Sequence, residues 1–435
     1  MDYRSIPVDA DSAARIAATG LRIELVDTSD DAAFTSWLSA DVRGFHSEAS
    51  ADQLTKMRGE FGHRRTTGVY DATAAEPSIP VGTVNSWPVE MSVPGGACPE
   101  SWGISSVTVA PTHRGRGIAR ALLEGELRTA SRLGLPFAAL TVSESTLYGR
   151  YGFGPAAFAA DYRFDTRRVS WSGPRPDGRV QFVSIDEYLE KAPQLYERTR
   201  RDHAGQIDVW PRRWAQVAGQ TGDDAAAARR VRAVRYDDAS GTPRGYAVYE
   251  VTGGDDDFTS HEATLRYLLA DGVDAYAALW RFVLELPLVR TVVATLRSVD
   301  EPVRWMLRDW RAVSTTSWDH LWVRVLDVPA ALGSRVPGAE GTVVVEVDDP
   351  MGFAAGAWRI DGGAERLRAE PASEADAALP RVSLGASELA SLSLGGVSAS
   401  VLAQAGRVSA SEPSAVAVLD ALLSVPRAPW LSVWF

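Results

Sequence analysis

The 435-residue chain carries 45 Lys and Arg against 56 Asp and Glu, a formal net charge of −11, and 45% of its residues are hydrophobic. This length predicts two to three domains, and the acidic balance argues against a nucleic-acid-binding protein and favours cationic ligands. Cys98 is the only cysteine, which excludes an intrachain disulfide and a multi-cysteine zinc site. No apolar run reaches the roughly 20 residues that span a bilayer. The start of the chain has no signal-peptide pattern, so we expect a cytoplasmic protein.

The first segment, residues 1–165, has the pattern of an α/β domain. An amphipathic helix after Asp30 places Phe34, Trp37 and Leu38 on one face. A second helix follows the sequence "THRGRG", with Ile118 on its predicted buried face and Glu124 on its outer face. The predicted strands are 21–29, 79–93, 101–111 and 136–143.

A stretch rich in Pro, Gly and Ser at 167–180 marks a boundary near residue 165. The central domain is therefore predicted to span 166–330, and in it the strand–helix–strand pattern occurs a second time. The predicted elements there are strands at 244–251, 261–270 and 289–296 and a helix at 272–286.

Around residue 330 the pattern changes to that of a small α+β domain, which we predict to span 331–435. Segments 341–350 and 354–361 alternate like an antiparallel hairpin, and 398–406 and 414–424 are predicted as short helices. The chain ends in "WLSVWF", which is predicted to be a strand. An apolar end of this kind favours a terminus that packs against the protein instead of fraying.

The stretch "VTVAPTHRGRGIARALL" places a glycine-rich loop between a predicted strand and a helix. Glycines allow the backbone to approach a ligand closely, and the N–H groups of a first helical turn bind a pyrophosphate. Arg114, Arg116 and Arg120 add positive charge nearby. The spacing fits neither a dinucleotide-binding fingerprint nor a P-loop. The alternative is an Arg-rich helix start with a solvated face, and His113 is expected to face solvent.

The next predicted strand leads into "LTVSESTLYGRYGFGP", which resembles the Y-x-x-x-G-F signature that closes the acyl-CoA site of the GNAT superfamily of N-acetyltransferases. Taken over the whole chain, the two motifs, the degenerate second copy, the small third domain and the terminal Phe resemble the Eis (enhanced intracellular survival) family. The resemblance implies an α/β and α+β fold: two tandem GNAT-like domains and a C-terminal domain similar to sterol carrier proteins.

The same resemblance implies an acetyl-CoA-dependent N-acetyltransferase that needs no metal. Its acceptors would be amines of aminoglycosides, which would confer antibiotic resistance, or protein lysines. The chains would assemble as a homohexamer, a trimer of dimers, with no nucleic-acid partner. The central domain has "LLADGVDAYAA" in place of the glycine-rich loop, and Asp271 and Asp274 would repel a pyrophosphate, so we expect it to bind no CoA.

Carried over residue by residue, the resemblance assigns the carboxylate of Phe435 as general base and Tyr148 as general acid. Burial would raise the pKa of an α-carboxyl from about 3.5 and make it a better base, and a tyrosine with a pKa near about 10 is protonated at neutral pH. The expected CoA contacts are the strand residues Val107, Thr108 and Val109, the loop residues Gly115, Arg116, Gly117, Ile118, Ala119 and Arg120, and then Ser143 and Glu144.

Several residues keep two interpretations at this stage. Tyr148 is favoured over Tyr151 only because it precedes Gly149 and Arg150, as in the family. Phe435 could be a strand end that fills the core, and Glu144 could be a helix cap. Trp37, Trp87 and Trp102 could belong either to the core or to a pocket wall.

Two departures from the family affect the expected acceptor. Trp434 stands where an acidic residue often precedes the terminal Phe, and "RGFH" near Gly44 replaces an expected acidic pocket residue. The competing interpretation is a lipid-binding or protein-interaction module with a residual CoA site. A solvent-open pocket lined by aliphatic side chains within 331–435 would favour it.

Overall fold

The computed structural model describes residues 2–222, 225–254, 257–363 and 365–435. The chain divides into two compact units. One unit comprises Met1–Ala156, Leu321–Val425 and Trp434–Phe435, and the other comprises Ala157–His320 and Pro426–Val433. Within the described ranges, no helix is long and apolar enough to cross a membrane.

In the N-terminal domain, helices pack against a mixed sheet that contains antiparallel and parallel strands. Its elements are α1 (Ala10–Ala17), β1 (Arg22–Leu25), α2 (Asp31–Gly44), α3 (Ala51–Phe61), β2 (Arg65–Tyr70), β3 (Gly82–Glu90), β4 (Glu100–Val109), α4 (Ile118–Arg132), β5 (Phe137–Thr141) and α5 (Ser145–Tyr148). Asp30 caps α2 by accepting from the N–H groups of Ala32 and Ala33, and Ser50 with Gln53 forms a capping box on α3. The predicted order of strand, loop, helix and strand is confirmed.

The strands of this domain lie in the order β1–β2–β3–β4–β5. β4 and β5 are parallel and pair through Trp102 opposite Ala138 and Gly103 opposite Ala139. The hydrophobic core of this domain consists of buried side chains from α1, α4 and the sheet, among them Ile16, Leu122 and Leu140.

The central unit repeats this arrangement. Its elements are β6 (Gly154–Asp165), β7 (Arg179–Val183), α6 (Ile185–Thr199), α7 (Arg212–Val217), α8 (Ala225–Arg230), β8 (Val231–Asp237), β9 (Pro243–Thr252), β10 (His261–Ala270), α9 (Val273–Leu284), β11 (Val289–Arg297) and β12 (Val313–Val325). The strands lie in the order β6–β11–β10–β9–β8–β7, with β10 and β11 parallel. The predicted second strand–helix–strand pattern is therefore confirmed as β10, α9 and β11.

The first three residues of β6 and the last five of β12 belong to the first unit, where Leu321–Val325 pairs antiparallel with β5. The third domain follows in the same unit, and its sheet has the order β15–β14–β13–β16–β17. The elements are α10 (Val328–Gly333), β13 (Thr342–Asp348), β14 (Gly356–Asp361), β15 (Arg368–Pro371), β16 (Arg381–Gly385), α11 (Ala386–Ser393), α12 (Ala399–Gln404), β17 (Val408–Ala410) and α13 (Pro413–Leu423). The predicted hairpin is β13 with β14, and the two predicted short helices are α12 and α13.

The prediction of a terminal strand is wrong. Residues 430–435 are in no strand, because backbone groups of Ser432, Val433 and Phe435 bond side chains instead of a neighbouring strand. The N–H of Ser432 donates to Gln206, and the His320 ring bonds the Val433 carbonyl. Leu431 and Val433 are nonetheless fully buried, so the segment is held in place without a strand ladder.

The expectation that Glu124 lies on an outer face of its helix is also wrong. Glu124 is buried, because α1 covers that side of α4. The Ser12 hydroxyl of α1 donates to the Ala121 carbonyl at 2.7 Å, and Arg15 of α1 forms an ion pair with Glu124 at 3.4 Å. Periodicity identified the helix but could not show that a second helix packs on its polar face.

Candidate active site

A cleft opens where β4 and β5 separate. The two strands pair at Gly103 and Ala139, yet β4 continues for another six residues to Val109. Ser106 has a positive φ of 56°, and the β3–β4 register shifts beside it, which marks a bulge that bends the strand. Residues 105–107 are partly exposed, whereas the four residues before them are buried. The strand residues Val107, Thr108 and Val109 therefore lie on the open part of β4.

The glycine-rich loop joins this end of β4 to α4. Gly115 and Gly117 have φ near +78° and +75°, and a Cβ at either position would meet no protein atom within 4 Å. Gly117 is the N-cap of α4 and supplies no side-chain hydrogen bond. The N–H groups of Ile118, Ala119 and Arg120 precede the first intrahelical bond, from Ala121 to Gly117. A row of N–H groups without intrahelical partners at the positive end of a helix suits the pyrophosphate of CoA.

Asp71 holds the loop from the side. Its carboxylate lies 3.1 Å from Nε2 of His113 and 3.6 Å from the Arg116 guanidinium. Hydrogen bonds from Thr73 and then from His113 lower the pKa of Asp71 well below its usual range. The expectation that His113 faces solvent is therefore wrong, since it fixes the loop by bonding Asp71.

Tyr148 lies at the end of α5, just beyond the carboxyl end of β5. Its side chain is buried and its ring meets the edge of Phe153 at 6.2 Å. Burial raises the pKa of Tyr148, and a hydrogen bond with Ser143 partly opposes that shift. Glu144 occupies the N-cap position of α5, but its side chain caps nothing there and instead accepts from Thr146 at 3.3 Å. Ser143 and Glu144 thus lie between β5 and Tyr148.

Gly152 explains why a glycine is needed in the Tyr148–Phe153 segment. Its φ is +80°, and a Cβ there would lie 2.6 Å from the Arg324 guanidinium. Arg324 is itself buried and binds both carboxylate oxygens of Asp349 at 2.6 Å. The segment is therefore packed against a buried ion pair, which fixes its backbone.

The last residue of the chain lies at the end of β5. Oγ1 of Thr141 donates to a carboxylate oxygen of Phe435 at 2.7 Å and accepts from its N–H at 3.3 Å. The Phe435 ring meets the Trp87 ring edge-on at 5.7 Å, whereas Trp434 is 45% exposed. Thr141 stands two residues before Ser143, so the terminal carboxylate lies on the strand that leads directly to Tyr148.

The structure separates the three tryptophans whose role the sequence left open. Trp37 and Trp102 are fully buried, and their ring N–H groups donate to Thr67 and Glu126 respectively, so both belong to the core. Trp87 instead packs against Phe435 and lies 3.6 Å beneath the guanidinium of Arg64. Only Trp87 therefore lies beside the terminal residue.

Sequence reasoning missed a buried polar cluster next to the cleft. It consists of Asp41, Arg64, Asn85 and Ser106. Asn85 donates to Ser106 at 3.2 Å and accepts from Arg64 at 3.3 Å, and Asp41 hydrogen-bonds Ser106. A signal for Asp41 was present, because it continues the Phe34, Trp37 and Leu38 face of α2 with a carboxylate where an apolar residue is expected.

Comparison with known proteins shows which families three parts of the chain match. Residues 26–156 and 205–325 each match an acetyltransferase (GNAT) domain family, and residues 328–432 match the sterol carrier protein domain family. A Streptomyces avermitilis protein named as an uncharacterized N-acetyltransferase is 33% identical over 409 residues, 92% of this chain and 96% of its own length.

N-acetyltransferase Eis of Mycobacterium tuberculosis is 32% identical over 347 residues, 77% of this chain and 80% of its own length. The crystal structure of Eis1 from Mycobacterium abscessus superimposes with a TM-score of 0.79 at 26% identity, over 95% of this chain and all of that one. Domains of this kind imply acetyl-CoA as donor and a small-molecule acceptor. By fold and by sequence, the chain belongs to the Eis-like family of GNAT N-acetyltransferases.

Proposed function

We propose that this enzyme transfers the acetyl group of acetyl-CoA directly to an amine of an aminoglycoside-like polycationic small molecule, with protein lysines as a further acceptor class. The observation that carries the proposal is the position of the Phe435 carboxylate. Thr141 holds it at the end of β5, the strand that borders the cleft and continues to Tyr148. A base and an acid at one end of one strand suit a single acceptor site.

Acetyl-CoA would lie in the gap between β4 and β5. Its pyrophosphate would be bound by the N–H groups of the Gly115–Arg120 loop and helix start, with charge from Arg116 and Arg120. Its pantetheine arm would extend the sheet along Val107, Thr108 and Val109, and Ser143 and Glu144 would contact it from the β5 side. The unfilled space around Gly115 and Gly117 supports this placement.

Acetyl transfer requires a neutral amine, and most substrate amines are protonated at neutral pH. The Phe435 carboxylate would accept that proton, directly or through one water. The freed amine attacks the thioester carbon, and a backbone N–H on Val107–Val109 stabilises the oxyanion. The C–S bond then breaks and the CoA thiolate takes the proton of Tyr148, whose raised pKa keeps it protonated beforehand. The acylated nitrogen loses its second proton to water, and exchange with water returns Tyr148 to the phenol and Phe435 to the carboxylate, so that one proton is released overall.

The central domain has a different role in this proposal. Asp271 precedes Gly272 at the start of α9 and Asp274 lies in its first turn, so two carboxylates flank the place where a pyrophosphate would have to bind. Arg244 forms an ion pair with Asp271 at 3.1 Å and is therefore already engaged by a carboxylate of the chain. We expect this domain to bind no CoA and to serve as scaffold or subunit interface in a homohexamer. The domain limits 1–165, 166–330 and 331–435 remain predictions.

The depression that the structure shows along the sheet of the third domain does not favour the competing lipid-binding interpretation. A depression of ≈ 580 Å³ lies along its sheet. Its lining residues are Glu346, Val347, Asp348, Gly356, Ser383, Leu384, Gly385 and Arg407. Half of these are charged or polar side chains, against which a lipid chain would gain little.

Thiol release from acetyl-CoA tests the proposed function. Purified protein is incubated with acetyl-CoA and kanamycin, a panel of diamines and monoamines, or no amine, and free CoA thiol is followed together with the mass of the acceptor. We expect amine-dependent thiol release with a matching gain of one or more acetyl groups. Release that is equal with and without every amine would contradict the proposal.

A further inference from the structure

Asp41 is a buried carboxylate that lacks a full set of partners. It lies on the apolar face of α2 and is only 6% exposed. Among the described residues, its Oδ1 atom has no hydrogen-bond partner. Burial raises the pKa of Asp41 to about 6, so the group is ionised above that pH. An unpaired buried carboxylate is costly, which indicates that a donor from outside the chain completes it.

Asp41 lies beside β4, the strand proposed to bind the pantetheine arm of acetyl-CoA. Ser106, which bonds Asp41, precedes Val107 at the bulge where β4 opens to solvent. The nearest cation is Arg64, whose guanidinium donates to Asn85 and lies between the Phe61 ring at 4.4 Å and the Trp87 ring at 3.6 Å. Arg64 is thus held over the aromatic rings. It attracts Asp41 electrostatically, but Oδ1 of Asp41 accepts no hydrogen bond from any described residue.

The same contacts connect Asp41 to the terminal residue. Asp41, Ser106, Asn85 and Arg64 form a continuous hydrogen-bonded row. Arg64 covers Trp87, and Trp87 meets the Phe435 ring at 5.7 Å. All of these residues belong to one compact unit. Asp41 is therefore connected to Phe435 through a series of contacting side chains. Several residues separate it from the carboxylate proposed as base.

We propose that Asp41 binds a second, non-reacting ammonium group of a diamine or polyamine acceptor while another amine of the same molecule reacts beside Phe435. This inference rests on the proposed function and names its acceptor class. An ammonium supplies the N–H donor that Oδ1 lacks among the described residues and adds a second positive charge to that of Arg64, which already lowers the pKa of Asp41. Hydrogen bonds to charged groups contribute roughly 1.5–3 kcal/mol, which corresponds to about 10- to 100-fold in acceptor affinity.

The test compares a diamine with a monoamine of equal chain length. In the wild type, 1,4-diaminobutane should have a lower KM than butylamine. In Asp41→Asn, which keeps the side-chain shape, the KM for the diamine should rise about 10- to 100-fold, while kcat and the KM values for butylamine and acetyl-CoA stay near wild type. Asp52→Asn, on the exposed first turn of α3, is the matched control and should change neither acceptor.

Retained butylamine turnover shows that the variant is folded. An unchanged KM for the diamine, or an equal loss of kcat with both amines, would overturn the inference. Calorimetric titration of the CoA-bound protein with 1,4-diaminobutane measures acceptor binding without turnover. Weaker binding to Asp41→Asn than to wild type supports the inference even if no amine is acetylated. A lack of acetylation with every amine would contradict only the proposed function.

Discussion

Tyr148 and Tyr151 are three residues apart, but their hydroxyl groups have different neighbours. Tyr148 bonds Ser143 and is affected by Glu144, both on the β5 side. Burial raises the pKa of Tyr151, and the charges that act on it after burial are Arg150 on its own segment and then Glu124 and Arg120 on α4. Among the described contacts of these two tyrosines, the Tyr148 hydroxyl bonds Ser143, which follows the strand whose Thr141 binds the terminal carboxylate. Tyr148 as general acid stays a prediction, and the two neighbourhoods give it a test.

Tyr148→Phe removes the proposed proton donor and little else. We expect kcat to fall about 100-fold, the lower end of what general acid catalysis contributes, while the Kd for CoA stays unchanged. Tyr151→Phe removes a hydroxyl of the same kind from a neighbouring buried ring and should keep near-wild-type kcat. Steady-state kinetics and calorimetric CoA binding check both variants, and a Tyr148→Phe enzyme with full kcat would mean that another group protonates the thiolate.

The burial of Asp41 also predicts how stability depends on pH. Its pKa is raised from 3.8 to about 6 in the folded state, so the folded state favours protonated Asp41 and loses stability as pH rises through this window. Asp41→Asn removes that loss. Relative to wild type, the variant should gain up to about 3 kcal/mol in free energy of unfolding above pH 6 and almost none near pH 4.

Urea unfolding of both proteins across pH 4.5–7.5 measures this difference. The difference in unfolding free energy should grow as pH rises. A difference that is constant across the range would show that Asp41 keeps an ordinary pKa in the folded protein. It would contradict the conclusion that burial destabilises the ionised form of Asp41.

At the scale of elements, α4 offers a matched pair of glycines. Gly117 precedes its first turn and Gly134 follows its last, with the same φ of +75° and no protein atom within 4 Å of a Cβ. Alanine costs similar backbone strain at both positions. Gly117→Ala should in addition raise the KM for acetyl-CoA at least several-fold, because the new methyl group points into the space that the pyrophosphate would use.

Gly134→Ala should lower the melting temperature about as much as Gly117→Ala and leave the KM for acetyl-CoA unchanged. Thermal denaturation and initial-rate kinetics on the two variants separate strain from ligand contact. If both variants raise the KM equally, the loop does not bind the phosphates and the effect is one of stability alone.

Local pattern was sufficient for elements whose partners lie nearby in the chain. β4, the glycine-rich loop and α4 follow one another, as do β10, α9 and β11, and periodicity with turn residues located both sets. It failed for residues 430–435, because the polar partners Gln206, His320 and Thr141 lie more than a hundred positions away. No local signal distinguishes such a segment from a strand.

The site shows the same limit. The loop and Tyr148 could be proposed from the sequence because each belongs to a contiguous motif. The cluster around Asp41 was not, because α2, β2, β3 and β4 each contribute one side chain and only the folded sheet brings them together. Asp41 was visible as a carboxylate on an apolar helix face, but its partners could not be inferred from spacing.

At the scale of the whole molecule, the two GNAT domains differ in the residues at the start of the corresponding helices, α4 and α9. The first has a glycine-rich loop with exposed N–H donors at the start of α4. The second has Gly272 at the start of α9, where Asp271 pairs with Arg244. The third domain contributes Asp349, whose ion pair with Arg324 packs beneath the Tyr148–Phe153 segment. It therefore supports the segment that contains the proposed general acid, in addition to preceding the terminal residues.

The most direct test of the account moves the terminal carboxylate and changes nothing else. One glycine added after Phe435 displaces the carboxylate by up to about 3.6 Å and leaves every side chain intact, whereas Phe435→Leu keeps the carboxylate in place and serves as control. We measure amine-dependent thiol release and the Kd for CoA. The account predicts that the extended protein binds CoA normally but loses at least 100-fold in kcat, while Phe435→Leu keeps most of it. An extended protein with wild-type kcat would contradict the account.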